Sequence, residues 1–336
     1  MSRHIAIVTP VLDDWEAFAK LVAELARGFR AGDVAFHVVA VDDGSNNSFN
    51  PATIALPPGA YVMDFEIVRL ALNLGHQRAI AVGLCAVLER RDIDAVVVMD
   101  SDGEDRPEDI AALLAASEHA PGRPILARRA RRSEGLMFRF FYALYKFLFR
   151  ILVGQSICFG NFALLPRPAV RRLVHMGELW NNLAAAIMRS RVPYVTVPTD
   201  RGHRYAGRST MGLVGLVVHG LSAMAVYTDK IFVRILIATS AVACASLLGI
   251  FGVVAIRLTT RLAIPGWATT AAGDLLILLM QTVVILVATT LVMLAGRSNR
   301  PILPIVDAWP FVAERRHFQV HRSRGSLTPA EPALSS

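Results

Sequence analysis

The stretch Ala95-Val96-Val97-Val98-Met99-Asp100-Ser101-Asp102-Gly103-Glu104-Asp105 passes from an unbroken apolar run directly into a cluster of carboxylates. A short run of this kind, rich in β-branched residues and ending in turn residues, reads as a strand buried on both faces, as strands of parallel sheets are. The carboxylates at its tip repel one another and raise each other's pKa unless a cation or a set of donors compensates. A second stretch has the same form, Val38-Val39-Ala40-Val41 running into Asp42-Asp43-Gly44-Ser45. Taken alone, that second tip is equally an ordinary turn, because Asp, Gly and Ser suit turn geometry without any ligand.

Outward from these two strands, short β-rich runs alternate with helical patterns. His4 to Thr9 precedes a helix around Trp15 to Phe29; Val34 to Val41 follows; Phe65 to Leu70 precedes a helix from Asn73 to Arg91 and the strand Asp94 to Met99. That alternation predicts a doubly wound α/β domain with a mostly parallel sheet. Ligands of such sheets sit at the carboxyl ends of the strands, so both acid clusters are expected on one edge. No G-x-G-x-x-G follows the first strand and no G-x-x-x-x-G-K-[ST] occurs anywhere, so a bound diphosphate would depend on cations. A hard divalent ion with oxygen ligands, Mg²⁺ or Mn²⁺, suits the acid clusters. This favours a nucleotide-sugar enzyme over a dehydrogenase or an ATPase.

The chain has 336 residues, 54% of them hydrophobic, and a net charge of +8. That apolarity exceeds what a soluble protein needs and is concentrated near the C-terminus. Ile235 to Ile256 and Leu275 to Gly296 carry no charged side chain, and each runs about 22 residues, roughly 33 Å as a helix, enough to span a bilayer core. A transmembrane hairpin is expected. Lys230 and Arg234 precede the first span, and Arg297, Arg300, Arg315, Arg316, Arg322 and Arg324 follow the second. This bias predicts a multi-pass protein of the cytoplasmic membrane, with the large N-terminal domain and both termini cytoplasmic. The run Ile5 to Leu12 is too short and too interrupted for a secretory signal. Cys85, Cys158 and Cys244 have neither metal-ligand spacing nor a disulfide pattern. No nucleic-acid motif accompanies the positive charge, so its expected partners are anionic headgroups or a phosphorylated ligand rather than nucleic acid.

Together these residues resemble glycosyltransferase family 2, in particular its polyprenyl-phosphate branch. The matching pieces are Thr9-Pro10-Val11, Val41-Asp42-Asp43-Gly44-Ser45, Asn73-Leu74-Gly75-His76-Gln77, the run from Met99 to Glu108, Arg128-Arg129-Ala130-Arg131-Arg132, Phe141-Tyr142, Gly160-Asn161-Phe162, and Arg204-Tyr205-Ala206-Gly207-Arg208-Ser209. Each is weak alone; their order and spacing are specific. The resemblance implies a GT-A, Rossmann-like domain over 1–210, and a nucleotide-sugar site at Pro10, Asp42, Asp43, Asn73, Gly75, Gln77, Asp100 and Ser101. It implies Mg²⁺ or Mn²⁺ on Asp100, Asp102 and Glu104. It implies phosphate and acceptor contacts from Arg128, Arg129, Arg131, Arg132, Arg204 and Ser209, with Asp100, Asp102, Arg128 and Arg131 carrying catalysis. This chain departs from the branch in four places. Leu12-Asp13-Asp14 stands where Tyr-Asn-Glu is usual, Glu104 where Gln is, Asn161 where Asp is and Thr210 where Lys is.

A polyprenyl phosphate brings its own nucleophile, since a phosphate monoester has a second pKa of about 6. The catalytic task is then electrostatic, to bring two anions together and to stabilise a departing nucleoside diphosphate. A lipid acceptor requires a site against the bilayer. Leu136 to Val153 has its cations at Arg139, Lys146 and Arg150, one helical stripe on an otherwise apolar and aromatic surface. It reads as an amphipathic interface helix, with a third span as the rival. Residues 211–229 read as a second interface helix or linker, 230–297 as the hairpin and 298–336 as a basic cytoplasmic tail, flexible from about Arg315 to the end. Two-helix anchors commonly associate, so a homo-oligomer is an expected state. Trp180-Asn181-Asn182 is a candidate sugar contact. Two other functions fit the same residues: transfer to a lipid hydroxyl such as that of a diacylglycerol, and a non-catalytic nucleotide-sugar-binding scaffold.

Overall fold

The computed structural model describes residues 3–29, 34–54, 62–129, 136–154, 159–206, 213–260, 266–298, 300–321 and 326–329. The chain divides into two units, one of residues 1–141, 157–226 and 302–336, the other of 142–156 and 227–301. The first begins with the expected alternation: β1 (Arg3–Val11), α1 (Trp15–Gly28), β2 (Val34–Asp42), β3 (Val62–Leu70), α2 (His76–Glu89) and β4 (Ala95–Val98). It continues through α3 (Asp109–His119) and β5 (Ile125–Arg129) to α4 (Leu136–Val153), which runs across the boundary between the units. Then come β6 (Ala163–Pro166), α5 (Arg167–Val174), α6 (Leu183–Arg189), β7 (Val195–Thr199) and α7 (Leu213–Ala225). The second unit holds α8 (Thr228–Thr259) and α9 (Trp267–Ser298), after which α10 (Pro304–Asp307), β8 (Val312–His321) and β9 (Ser326–Pro329) return to the first.

Among the described residues the strands form one sheet in the order β7-β5-β6-β4-β1-β2-β3-β8-β9. β4, β1, β2 and β3 run parallel, flanked by antiparallel β6 and β8. Side chains of a strand alternate between faces, and both faces here are covered. Ile5 and Ile7 pack with Phe18 and Leu21 of α1 and Leu113 of α3, while Ala6 and Val8 pack with Ile80 and Leu84 of α2 and Leu173 of α5. The apolar spacing Phe18, Leu21, Val22, Leu25 makes one buried stripe of α1. α2 carries Gly83 mid-helix, at a cost of about 1 kcal/mol in propensity. The compensation is close approach: a Cβ there would lie 2.5 Å from Val8 Cγ1. The strand order reverses at β1, which has β2 on one side and β4 on the other, and a crevice opens at the carboxyl ends of these three strands.

The segment from 298 onward corrects an expectation. Read as a basic tail, flexible from about Arg315, it instead supplies α10 and two strands, β8 pairing antiparallel with β3 from Asp64↔Gln319 to Leu70↔Val312. One of the basic residues that made it look solvated is matched by acids: Arg315 reaches the buried Glu66 and also Glu89, both at 2.6 Å.

In the second unit α8 and α9 are each long and apolar enough to cross a membrane. Their large apolar side chains face outward, with Leu248 71% and Leu258 79% exposed, which a core helix of a soluble protein would not allow. Between them lie small residues, Ser246 and Thr282 being buried. α8 starts at Thr228, before the charge-free run, and so carries Lys230 and Arg234 on its first turns. The Arg234 guanidinium donates to the Ile151 carbonyl, satisfying one of the free carbonyls at the end of α4.

Candidate active site

Asp42 and Asp43 end β2 in the crevice, both buried. Asp42 Oδ1 accepts the Ser45 amide at 2.8 Å; its Oδ2 has no hydrogen-bond partner and lies 3.7 Å from Arg69 Nε. Asp43 is spent on backbone, its oxygens accepting the amides of Leu74 (2.7 Å) and Gly75 (3.0 Å). Burial pushes the Asp43 carboxyl above its usual range, the neighbouring Asp42 adds to that, and the two amides offset it only in part. Asn73 Oδ1 also accepts the Gly75 amide, at 3.0 Å, and Gly75, at φ 90°, opens α2. Gln77 is structural as placed: it donates to Asn161 at 2.9 Å and accepts the Leu183 amide at 2.8 Å.

The departure at Leu12-Asp13-Asp14 has a structural account. Asp13 adopts a left-handed backbone, φ 51°, and its carboxylate gathers the Asn46 amide and side chain, both at 2.8 Å. Its own amide donates to Ser45 Oγ at 2.9 Å. Asp13 therefore ties the loop after β1 to the loop after β2. Turn propensity alone was the sequence signal for it.

The acidic loop after β4 is ordered from within. Asp105 is buried and accepts the Asp100 amide at 3.0 Å, Asp102 Oδ1 accepts the Glu104 amide at 2.8 Å, and Ser101 Oγ donates to the Pro10 carbonyl at 3.2 Å. Two arginines approach from the loop after β7. Arg204 lies 3.2 Å from Asp102 and 3.8 Å from Asp14, and Arg201 lies 2.6 Å from Glu104. Arg204 Nε is buried without a hydrogen-bond partner.

No group of three His, Cys, Asp or Glu converges as a metal cage among the described residues, and the Glu104 carboxylate lies 2.6 Å from Arg201. A two-carboxylate site still fits Mg²⁺ or Mn²⁺, ions held by one or two carboxylates together with substrate phosphates. Asp100 and Asp102, partly exposed at the strand tip, would supply that set.

Other expected residues divide. Arg128 is exposed at the end of β5; Arg129 closes that strand; Arg131, Arg132, Ser209 and Thr210 lie outside the described residues. Trp180 and Asn182, candidates for a sugar contact, are buried, Asn182 capping α6 by accepting the Ala185 amide at 2.9 Å. Arg69 was not foreseen. Besides approaching Asp42 it lies 3.3 Å from Ser48 Oγ, and with Gly44, Ser45, Leu72, Ala313 and Glu314 it lines an open cleft of about 500 Å³ beside the crevice. A second cavity of about 380 Å³, lined by Arg3, Asp94 and Leu114, sits at the amino end of β1 and away from these groups.

Residues 6–173 match the family described as Glycosyl transferase family 2. Among curated relatives, an undecaprenyl-phosphate 4-deoxy-4-formamido-L-arabinose transferase of Proteus mirabilis (strain HI4320) is 27% identical over 139 residues, 41% of this chain and 40% of the relative. Its counterpart in Yersinia pestis (strain Pestoides F) is 24% identical over 224 residues, 64% of each chain. This chain thus spans less than two thirds of the length of either. Among solved structures, glucosyl-3-phosphoglycerate synthase from Mycobacterium tuberculosis, in complex with Mn²⁺, UDP-glucose and phosphoglyceric acid, is similar at 17% identity and a TM-score of 0.45, over 68% of this chain and 80% of that one.

Proposed function

This chain belongs to glycosyl transferase family 2, and from that premise we propose that it moves a sugar from a nucleotide-sugar donor to a membrane polyprenyl phosphate, with inversion at the anomeric carbon. The observation that carries the reading is a pair of buried atoms without hydrogen-bond partners in one crevice, Asp42 Oδ2 and Arg204 Nε. A buried acceptor and a buried donor left without a hydrogen bond are uncommon in folded chains. A nucleotide sugar supplies both missing partners: N–H or O–H groups on its nucleoside for Asp42, and phosphate oxygens for Arg204. The relatives' names, undecaprenyl-phosphate transferases, support the acceptor class.

In this reading an oxygen of the acceptor phosphate attacks the anomeric carbon from the face opposite the diphosphate. The carbon–oxygen bond to the donor breaks, and the nucleoside diphosphate leaves with the bonding pair. No general base is needed for a nucleophile that is already anionic. Asp42 orients the nucleoside, and Arg204, with Arg128, draws the phosphates together and offsets their repulsion. Asp100 and Asp102 would hold a divalent cation, which would neutralise charge on the donor diphosphate as it departs. α8 and α9 anchor the protein in the bilayer that carries the acceptor, and α4 lies along its surface.

The test incubates membranes containing the protein with undecaprenyl phosphate, Mg²⁺ or Mn²⁺ and a panel of nucleotide sugars. A metal-dependent glycolipid labile to mild acid is expected, and Asp102→Ala lowers turnover by roughly a hundredfold or more. Product on a lipid hydroxyl alone, or donor binding without turnover, would refute the reading.

A further inference from the structure

Glu104, a position at which this chain departs from the pattern it resembles, presents a carboxylate that meets a guanidinium. Arg201 Nη2 lies 2.6 Å from Glu104 Oε1, with the Glu104 side chain only 15% exposed. The contact belongs to a wider seam between the acidic loop and the loop after β7. Gly202 N donates to the Glu104 carbonyl at 2.9 Å, and Tyr205 N to the Asp102 carbonyl at 2.8 Å. The backbones approach so closely that glycine is needed on both sides. A Cβ on Gly103, which already has φ +88°, would sit 2.7 Å from the Tyr205 ring, and one on Gly202 would collide with the Gly103 carbonyl. Lys20 of α1 fastens the far end through the Tyr205 carbonyl at 3.1 Å. Between these fastenings lies Arg204, on Asp102 and Asp14.

We propose that Glu104 is a positioning residue: its carboxylate holds Arg201, and through Arg201 the 201–205 segment, against the acidic loop, so that Arg204 is presented at Asp102 and Asp14. A carboxylate at this position adds charge beside Asp100 and Asp102, which by itself would aggravate their repulsion. Arg201 compensates that charge locally and converts it into a tether. A lysine at position 201 keeps the positive charge opposite Glu104 on a flexible stem, so it can stand in for the guanidinium as a tether.

The test uses the full chain in detergent, first with neither metal nor nucleotide. Amide hydrogen exchange over 201–205 is expected to accelerate on the order of tenfold in both Glu104→Gln and Arg201→Met, and to stay within about threefold of wild type in Arg201→Lys. Unchanged exchange in the first two variants, or Lys behaving like Met, overturns the proposal. The second measurement is kinetic and rests on the transferase reading. Both charge-removing variants raise the donor KM by roughly tenfold while leaving the Mn²⁺ concentration for half-activation within about twofold. If Glu104→Gln alone raises the Mn²⁺ requirement and Arg201→Met does not, Glu104 is a metal ligand and the tether is wrong. The exchange measurement needs no turnover, so it decides the tether even if the chain proves not to be a transferase.

Discussion

Asp42 and Asp43, adjacent at the end of β2, have divergent roles although they are chemically identical. Asp43 closes the loop at Leu74 and Gly75, whereas Asp42 keeps one buried oxygen unbonded in the crevice. Another residue read from sequence only as a strand position proves to be titratable and buried: His37 of β2, 2% exposed. It bonds Asp64 of β3 and lies 3.8 Å from Glu66, with Arg90, the residue capping α2, bridging to Asp64 at 2.6 Å. Burial pushes the imidazole down, but the bonds to Asp64 and Glu66 push it further up, so its pKa lies above the ordinary 6.5. For Asp64 burial acts upward, and the bonds to His37 and Arg90 outweigh it, leaving the carboxyl below 3.8. A folded state that holds the His37 proton more tightly than the unfolded chain gains stability that is fully present below pH 6.5 and lost as pH rises through the higher folded value. Thermal unfolding followed against pH is therefore expected to show a falling limb above 6.5, and His37→Asn should flatten it. Equal slopes in the two proteins would disprove this assignment.

At the scale of elements, β8 carries the largest difference between expectation and structure. Its composition, rich in Arg and His, reads as solvated, yet antiparallel pairing covers what would otherwise be an open edge of β3. The decisive contact is Arg315 on Glu66, a carboxylate 1% exposed. Removing one partner of a buried pair leaves the other charge uncompensated, so Arg315→Met is expected to destabilise the first unit by about 3 kcal/mol in chemical denaturation. Adding Glu66→Gln should recover most of that loss, because the stranded charge goes with it. The helices behaved differently. α4 has the bounds of its apolar run, Leu136–Val153, because a continuous amphipathic pattern defines a helix locally.

For the whole molecule, chain order constrains topology. Residues before α8 and after α9 both belong to the unit containing the sheet, so a chain that crosses a bilayer along α8 must come back along α9. In a background lacking native cysteines, a cysteine at Ala268 should react with impermeant maleimide in intact spheroplasts, and one at Ala313 only after permeabilisation. Labelling of both from outside would refute the hairpin. The sequence by itself determined the strand and helix alternation, the convergence of two acid-tipped strands on one sheet edge and the two charge-free spans, because each rests on a period or a run visible within a short window. Only the tertiary structure decided that Glu104 meets Arg201, 97 residues away, and that Glu66 meets Arg315, 249 residues away. No local pattern encodes such pairs. They exist because the folded sheet brings distant strands into register, and burial then makes each carboxylate require a cation.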